Sequence, residues 1–363
     1  MMTRVNRHKK SARARRDNTF DFLRLVAASV VVIAHAQTDL GTSPILWNSW
    51  ELIDGIGMFF IMSGMMVYAS GVKTHATTGS WQDYFLNRYL RIAPGIYAFA
   101  ILLPIILVVT GAMVWKSLFS FDIVVWAGGA LALLPNYHPS IWDHVGTGVL
   151  NGHLYTIPAE ISFYLVVPIL VWAAHKWGFK VMLAAMIAIS IAGPLAVHFA
   201  PGPIPNILHH TFIERAGFFT AGVFFAHYWK RLPQKWWLFA AASSVYLLIK
   251  GFGPGYEVYE ALQPALLALP LAYAVVFFGN YGPRFLATLT KRIGDLSFGT
   301  YIWHVLVVNL FIYWGWVSNA WLVPIVLLIT WLIAEVSWRL IEKPALKLKR
   351  VSSQDLSRAP VAP

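Results

Sequence analysis

The sequence predicts an all-α integral membrane protein of about ten transmembrane helices with cytoplasmic N- and C-termini. Three observations carry this expectation. Of 363 residues, 58% are hydrophobic and only 12% charged, whereas a soluble domain carries about 25% charged residues. Apolar runs close to the roughly 20 residues needed to cross hydrocarbon recur along the whole chain. Lys and Arg fall between alternate runs, as expected when positive residues stay on the cytoplasmic side.

The apolar runs lie at 19–38, 50–71, 90–110, 154–174, 180–199, 211–229, 236–251, 262–280, 297–315 and 320–341. Basic residues sit at 4–16, at Lys73, Arg88 and Arg91, at Lys176 and Lys180, at Lys230, Arg231 and Lys235, at Arg284, Lys291 and Arg292, and from Lys343 onward. The loops at 39–49, 200–210, 252–261 and 316–320 carry none. An eleventh apolar piece, 121–134, is too short for a span and is expected to be a re-entrant or buried short helix. If it crossed, every later loop would invert and the charge pattern would fail.

Residues 1–18 read as a basic cytoplasmic arm, 19–345 as one membrane domain, and 346–363 as a disordered cytoplasmic tail. The net charge of +12 is explained by this topology and by anionic lipid, rather than by nucleic acid. The 17 Trp and 15 Tyr suit interfacial belts. The absence of cysteine excludes disulfides, thiolate catalysis and Cys-based zinc sites. No small-residue cleavage site follows the first apolar run, so it reads as a retained span.

Ionisable groups within spans mark functional candidates, because they are costly in hydrocarbon. The first span, "RLVAASVVVIAHA" (24–36), contains Arg24 and His35. Eleven residues are almost three helical turns, so both lie on one face about 16 Å apart along the axis. Asp21 shares that face. A snorkelling Arg and a His bonded to a carbonyl would be the structural explanation. A proton-transferring histidine is the functional one.

The third span is expected to open with "NRYLRIAP" (87–94), which sets Arg88 and Arg91 one turn apart. They either anchor the cytoplasmic end or form a guanidinium fork for phosphates. In "GIGMFFIMSGMMVYAS" (55–70), Gly57, Ser63 and Gly64 permit close helix packing, and Ser63 is also a candidate ligand contact. In "NGHLYTIPAEISFYLVVP" (151–168), Glu160 sits just inside an apolar helix with Tyr164 one turn on. It is either paired with an Arg or used for substrate orientation or proton handling. His153 is placed at the outer mouth of that helix. In "GDLSFGTYIWHVLV" (294–307), Ser297, Tyr301 and His304 share one face. Glu335 and Arg339 have the spacing of a helix ion pair.

The segments "FDFLRLVAASVVVIAHA" (20–36), "GIGMFFIMSGMMVY" (55–68), "YFLNRYLRIAPGIY" (84–97), "GHLYTIPAEISFYLVVP" (152–168) and "IGDLSFGTYIWHVLV" (293–307), in this order, resemble the acyltransferase 3 family of membrane proteins over about 20–345. Within it, exopolysaccharide acetyltransferases of the xanthan type are similar in length and plan. The resemblance implies acyl transfer, often of acetyl, from acyl-CoA to a carbohydrate hydroxyl in the bacterial inner (plasma) membrane. It implies no bound cofactor, with acetyl-CoA as donor substrate and a polysaccharide or lipid-linked oligosaccharide as acceptor.

Arg24 and His35 match the family's essential pair, Arg88 and Arg91 its Arg motif, and Glu160 its mid-chain glutamate. The resemblance thus makes His35, Arg24 and Glu160 catalytic candidates. Arg88, Arg91 and Arg24 become acyl-CoA-binding candidates, with Asp21, Ser63, Tyr164 and His304 in support. Leu154 and Tyr155 depart from the family, which often has Trp before the glutamate run. His35 as general base and an acyl-His35 intermediate both remain open. A transporter of lipid-linked glycans or acyl groups is the rival reading, and acetyl-CoA turnover discriminates the two. No metal is expected, because His-Glu-x2-His is absent and His138, His144 and His153 lack compact spacing.

Overall fold

The computed structural model describes residues 18–43, 52–202, 204–209, 211–251 and 255–349. The basic arm at 4–16 and the tail beyond residue 349 lie outside the described residues. Among the described residues the chain is all-helical, with no strand. The helices are α1 (Phe20–Asp39), α2 (Gly55–Thr78), α3 (Trp81–Val109), α4 (Phe121–Leu131), α5 (Thr156–Trp177), α6 (Phe179–Phe199), α7 (Ile204–His209), α8 (Phe212–Tyr228), α9 (Trp236–Gly251), α10 (Glu257–Tyr281), α11 (Arg284–Ile293), α12 (Ser297–Tyr313), α13 (Leu322–Ser337) and α14 (Lys343–Leu346). A π-helical turn, Trp338–Glu342, joins the last two.

Side-chain caps define several starts. Asp54 accepts from Gly57 N at 2.6 Å to open α2, and Ser80 accepts from Asp83 N at 3.4 Å to open α3. α2 ends on Gly79, which has φ +67°, a backbone state that suits glycine. Ile101, Leu165, Ile169, Val181 and Leu332 are each more than half exposed on long helices. That outward apolar surface suits lipid contact.

Each predicted run holds a helix, but seven helices are long and apolar enough to cross by themselves, or eight if the pair α11–α12, bent by 66°, is one span. The count of ten is therefore not reached. α8 and α9 have 17 and 16 residues, which at 1.5 Å per residue falls short of a ~30 Å hydrocarbon core. The 121–134 piece is an 11-residue helix. Its Trp126 is fully buried while Phe121 and Leu131 are largely exposed, so it lies against the bundle and is buried along one side only.

The third span differs in register. α3 begins at Trp81, so Arg88 and Arg91 lie two to three turns inside it rather than at its opening. Pro94 is accommodated inside the helix, which continues to Val109.

The centre of the bundle is α12, buried at every position from Ser297 to Phe311. It packs on α1, α3 and α13. α2 crosses α8 closely. A Cβ on Gly64 would collide with the Phe219 carbonyl oxygen, and one on Gly222 with that of Ile61. This is the small-residue packing expected of Gly64, with α8 supplying the second glycine.

Candidate active site

A cavity of about 640 Å³ opens among α1, α2, α3, α5 and α12 and is bounded by the C-terminal turns. It brings together Asp21, Arg24, Ser63, Arg88, Arg91, Glu160 and Tyr164, all anticipated from sequence. His35 and His304 are not among its lining residues. They meet each other instead, with ring centroids 5.2 Å apart.

The cationic wall is organised by Asp295, in the bend between α11 and α12. Its Oδ2 lies 2.6 Å from Arg91 Nη2 and 3.6 Å from Arg24 Nη1. Its Oδ1 accepts from Ser297 Oγ at 2.6 Å. Arg24 also pairs with Asp21 at 3.3 Å. Two of the three arginines thus share one largely buried carboxylate. Arg88 differs. It donates to Ser70 Oγ at 3.3 Å and lies over the Tyr164 ring, while its Nε has no partner among the described residues.

Asp295 stands in the motif "GDLSFGTYIWHVLV" (294–307), whose spacing assigns it no role. The signal was present, since an acidic residue at the start of an apolar span needs a partner. The bend itself is tight. Gly294 has φ +91°, and any Cβ there would strike the Trp338 indole.

From α5, beside the arginines, Glu160 accepts a hydrogen bond from the Tyr164 hydroxyl one turn on. Tyr84 ties α3 to α5 by donating to the Tyr164 carbonyl at 3.2 Å. Ser63 Oγ is buried and unpartnered among the described residues, so it remains available to a ligand as well as permitting close packing.

Tyr301 marks the inner end of the cavity. Its hydroxyl donates to the His153 carbonyl at 2.7 Å and lies 2.7 Å from Thr156 Oγ1. One turn further along α12, His304 contacts three rings: His35, Tyr301 and His153, the last at 4.8 Å. His153 is not at an outer mouth. It is buried in the 3-10 turn before α5, where its Nε2 donates to the Ile302 carbonyl at 2.9 Å. Of the three, His35 alone has substantial exposure, at 43% of its side chain, and its Nδ1 lies 3.7 Å from Asp39 Oδ2. The geometry therefore supplies a guanidinium-lined chamber, and beyond its tyrosine end a histidine cluster with one exposed member.

Lys349 falls in the stretch 346–363 that the sequence assigns to the tail. It lines the cavity beside the arginines. It lies beyond the last spanning helix, and burial together with Arg88, Arg91 and Arg24 draws its ammonium down to about 8. Glu335 and Arg339 form the predicted ion pair, outside the cavity.

Nodulation protein 10 of Rhizobium leguminosarum bv. viciae is 29% identical, with 92% of this chain and 94% of that protein covered. The peptidoglycan O-acetyltransferase OatA of Listeria monocytogenes is 23% identical over 91% of this chain and 56% of its own length. The exopolysaccharide production protein ExoZ of Rhizobium meliloti is 24% identical over 70% and 76%. The chain thus spans nearly all of the first protein but little more than half of OatA. No solved structure matches. The family model described as "Acyltransferase domain" matches residues 17–338, a stretch that contains every residue of the cationic wall except Lys349. The chain belongs to the acyltransferase 3 family.

Proposed function

We propose that the protein is a multi-pass O-acyltransferase that moves an acetyl or related acyl group from acyl-CoA to a carbohydrate hydroxyl. The acceptor is an exopolysaccharide or its lipid-linked repeat unit, and the enzyme sits in the bacterial inner membrane with its termini in the cytoplasm. One observation carries this reading: Arg24, Arg88 and Arg91 line one chamber whose inner end, Tyr301, lies a helical turn from the His304–His35 contact. The names of the relatives, O-acetyltransferases and an exopolysaccharide production protein, support the reaction class and acceptor.

In this reading the guanidinium groups hold the donor's phosphates, which Arg binds bidentately. The pantetheine arm runs past Tyr301 toward the histidines. His35 takes the proton from the acceptor hydroxyl as its oxygen attacks the thioester carbonyl carbon. The C–S bond breaks, and the departing thiolate takes up the proton. Base catalysis of this kind supplies about 10²–10⁴-fold. Glu160, held by Tyr164, orients the substrate in the chamber.

The test is the O-acetyl content of surface polysaccharide, by proton NMR, in a null strain complemented with the wild-type gene. Purified protein should also consume acetyl-CoA in the presence of the glycan. Restored acetylation without any acetyl-CoA turnover by the purified protein would favour a transporter.

A further inference from the structure

The C-terminal end of the described chain takes part in the chamber, although it lies beyond the matched family region. After α13 the π-helical turn Trp338–Glu342 brings the chain back over α3. Such turns concentrate at functional sites. Trp338 closes on Gly294, and Glu342 is buried with its Oε1 accepting from Ser337 Oγ at 3.0 Å. The next turn carries Leu346 and Lys349 onto the chamber wall.

The wall then holds five cations, Arg24, Arg88, Arg91, Lys291 and Lys349, against three acids, Asp21, Glu160 and Asp295. Asp295, the acid that acts on Lys349, is already shared by Arg24 and Arg91. An excess of positive charge in a half-buried cleft draws an anion. Resting on the acyl-CoA reading above, we infer that Lys349 is a further donor-binding residue, a point-charge contact for a phosphate of the donor at the chamber mouth.

This makes the C-terminal turn part of the substrate site. The groups around Lys349 also give it a distinct signature. It shares the chamber wall with Asp21 and Arg24 from α1, Arg88 and Arg91 from α3, Glu160 and Tyr164 from α5, Lys291 from α11 and Asp295 from the bend, while Glu342 of the π turn acts on Arg91. In this setting its ammonium loses its proton near pH 8. The positive charge is present below that value and fades as pH rises through it. A bound phosphate favours the charged form, so donor binding above pH 8 takes up a proton.

The experiment uses the full chain in nanodiscs, comparing wild type, Lys349→Met, Lys349→Arg and Arg88→Ala. The Met variant should raise KM for acetyl-CoA roughly tenfold, the loss expected of one charge-assisted contact, with kcat within about twofold. It should weaken inhibition by adenosine 3′,5′-bisphosphate to the same extent. Lys349→Arg should restore both. Wild-type KM should rise between pH 7 and pH 9, and Lys349→Arg should flatten that rise.

If Arg88→Ala raises KM while Lys349→Met does not, the inference about Lys349 falls and the donor reading stands. Unchanged KM in both variants overturns the donor reading itself. A Lys349→Met effect seen in phosphatidylglycerol nanodiscs but absent in phosphatidylcholine ones assigns the phosphate to lipid and also overturns the inference.

Discussion

His304 Nδ1 donates to the Tyr301 carbonyl at 2.7 Å, while its ring lies 5.2 Å from that of His35. A carbonyl only accepts, so the proton of the neutral ring is on Nδ1 and Nε2 carries a bare lone pair. That Nε2 is buried without a partner among the described residues. His153 repeats the arrangement in mirror form. Its Nε2 donates to Ile302, and its Nδ1 is buried and unpartnered. An unmet buried acceptor costs about 1–3 kcal/mol, and two of them stand in the cluster whose exposed member is His35. They are suited to holding His35 or receiving its proton. His304→Ala should lower kcat at least about tenfold and leave KM for acetyl-CoA nearly unchanged. Steady-state kinetics on purified protein checks this. An unaltered kcat would reduce the His304 contact to packing.

His35→Ala should abolish acetyl transfer while the protein still inserts. His35 is the most exposed of the three rings, so its truncation opens little void. Membrane fractionation and a thermal-shift trace establish insertion and folding, and NMR of the polysaccharide reads transfer. Wild-type levels of acetylation in the variant would remove His35 from the mechanism.

Arg88→Ala should weaken CoA binding more than Arg24→Lys does. Arg24 is committed to Asp21 and Asp295, and Lys keeps the charge there. Arg88 is held by a hydroxyl and a ring face, with Nε unused among the described residues. Isothermal titration with CoA compares the two. Equal affinity in wild type and Arg88→Ala would refute the phosphate role.

The chamber was largely legible in the sequence because its residues are anomalies there. Arg24, Arg88, Arg91 and Glu160 stand out as charges in apolar runs, and a charge in hydrocarbon turns inward. What could not be read was which group answers which. Asp295 is distant in sequence from both arginines it joins, and helix periodicity says nothing about contacts between helices. Lys349 was illegible for the opposite reason. A lysine in a basic tail is unremarkable until a π turn folds it back. The count of ten crossings was not confirmed, because the runs at 211–229 and 236–251 form helices of only 17 and 16 residues, below the length that marks a span by itself.

Asp295→Ala should cost more than activity. With the carboxylate removed, Arg91 loses its hydrogen-bonded partner and Arg24 keeps only Asp21, and the two guanidinium groups are each less than a quarter exposed. Breaking a buried pair in this way costs about 3–5 kcal/mol, and the lower end applies where water still reaches. The variant should show a lowered melting temperature in detergent and a KM effect larger than that of Arg24→Lys. Asp295→Asn keeps the Ser297 contact but loses the charge, so it should fall between Asp295→Ala and wild type. An Asp295→Ala protein with wild-type melting would mean that the arginines repel each other less than their spacing implies.

The α2–α8 crossing can be tested apart from any chemistry. Gly64 and Gly222 each face a backbone carbonyl across the crossing, Phe219 and Ile61 respectively. Backbone cannot rotate away as a side chain can, so even Gly64→Ala must push the helices apart. α2 carries Ser63 and Phe59 on the chamber wall, so the displacement reaches the site. Gly64→Ala should lower the melting temperature and reduce kcat/KM together. Gly251→Ala, at the end of α9 where an added Cβ meets nothing, should alter neither. Loss of activity at Gly64 with unchanged melting would shift its role from packing to direct contact with substrate, because only the chamber-facing side of α2 would then have felt the methyl group.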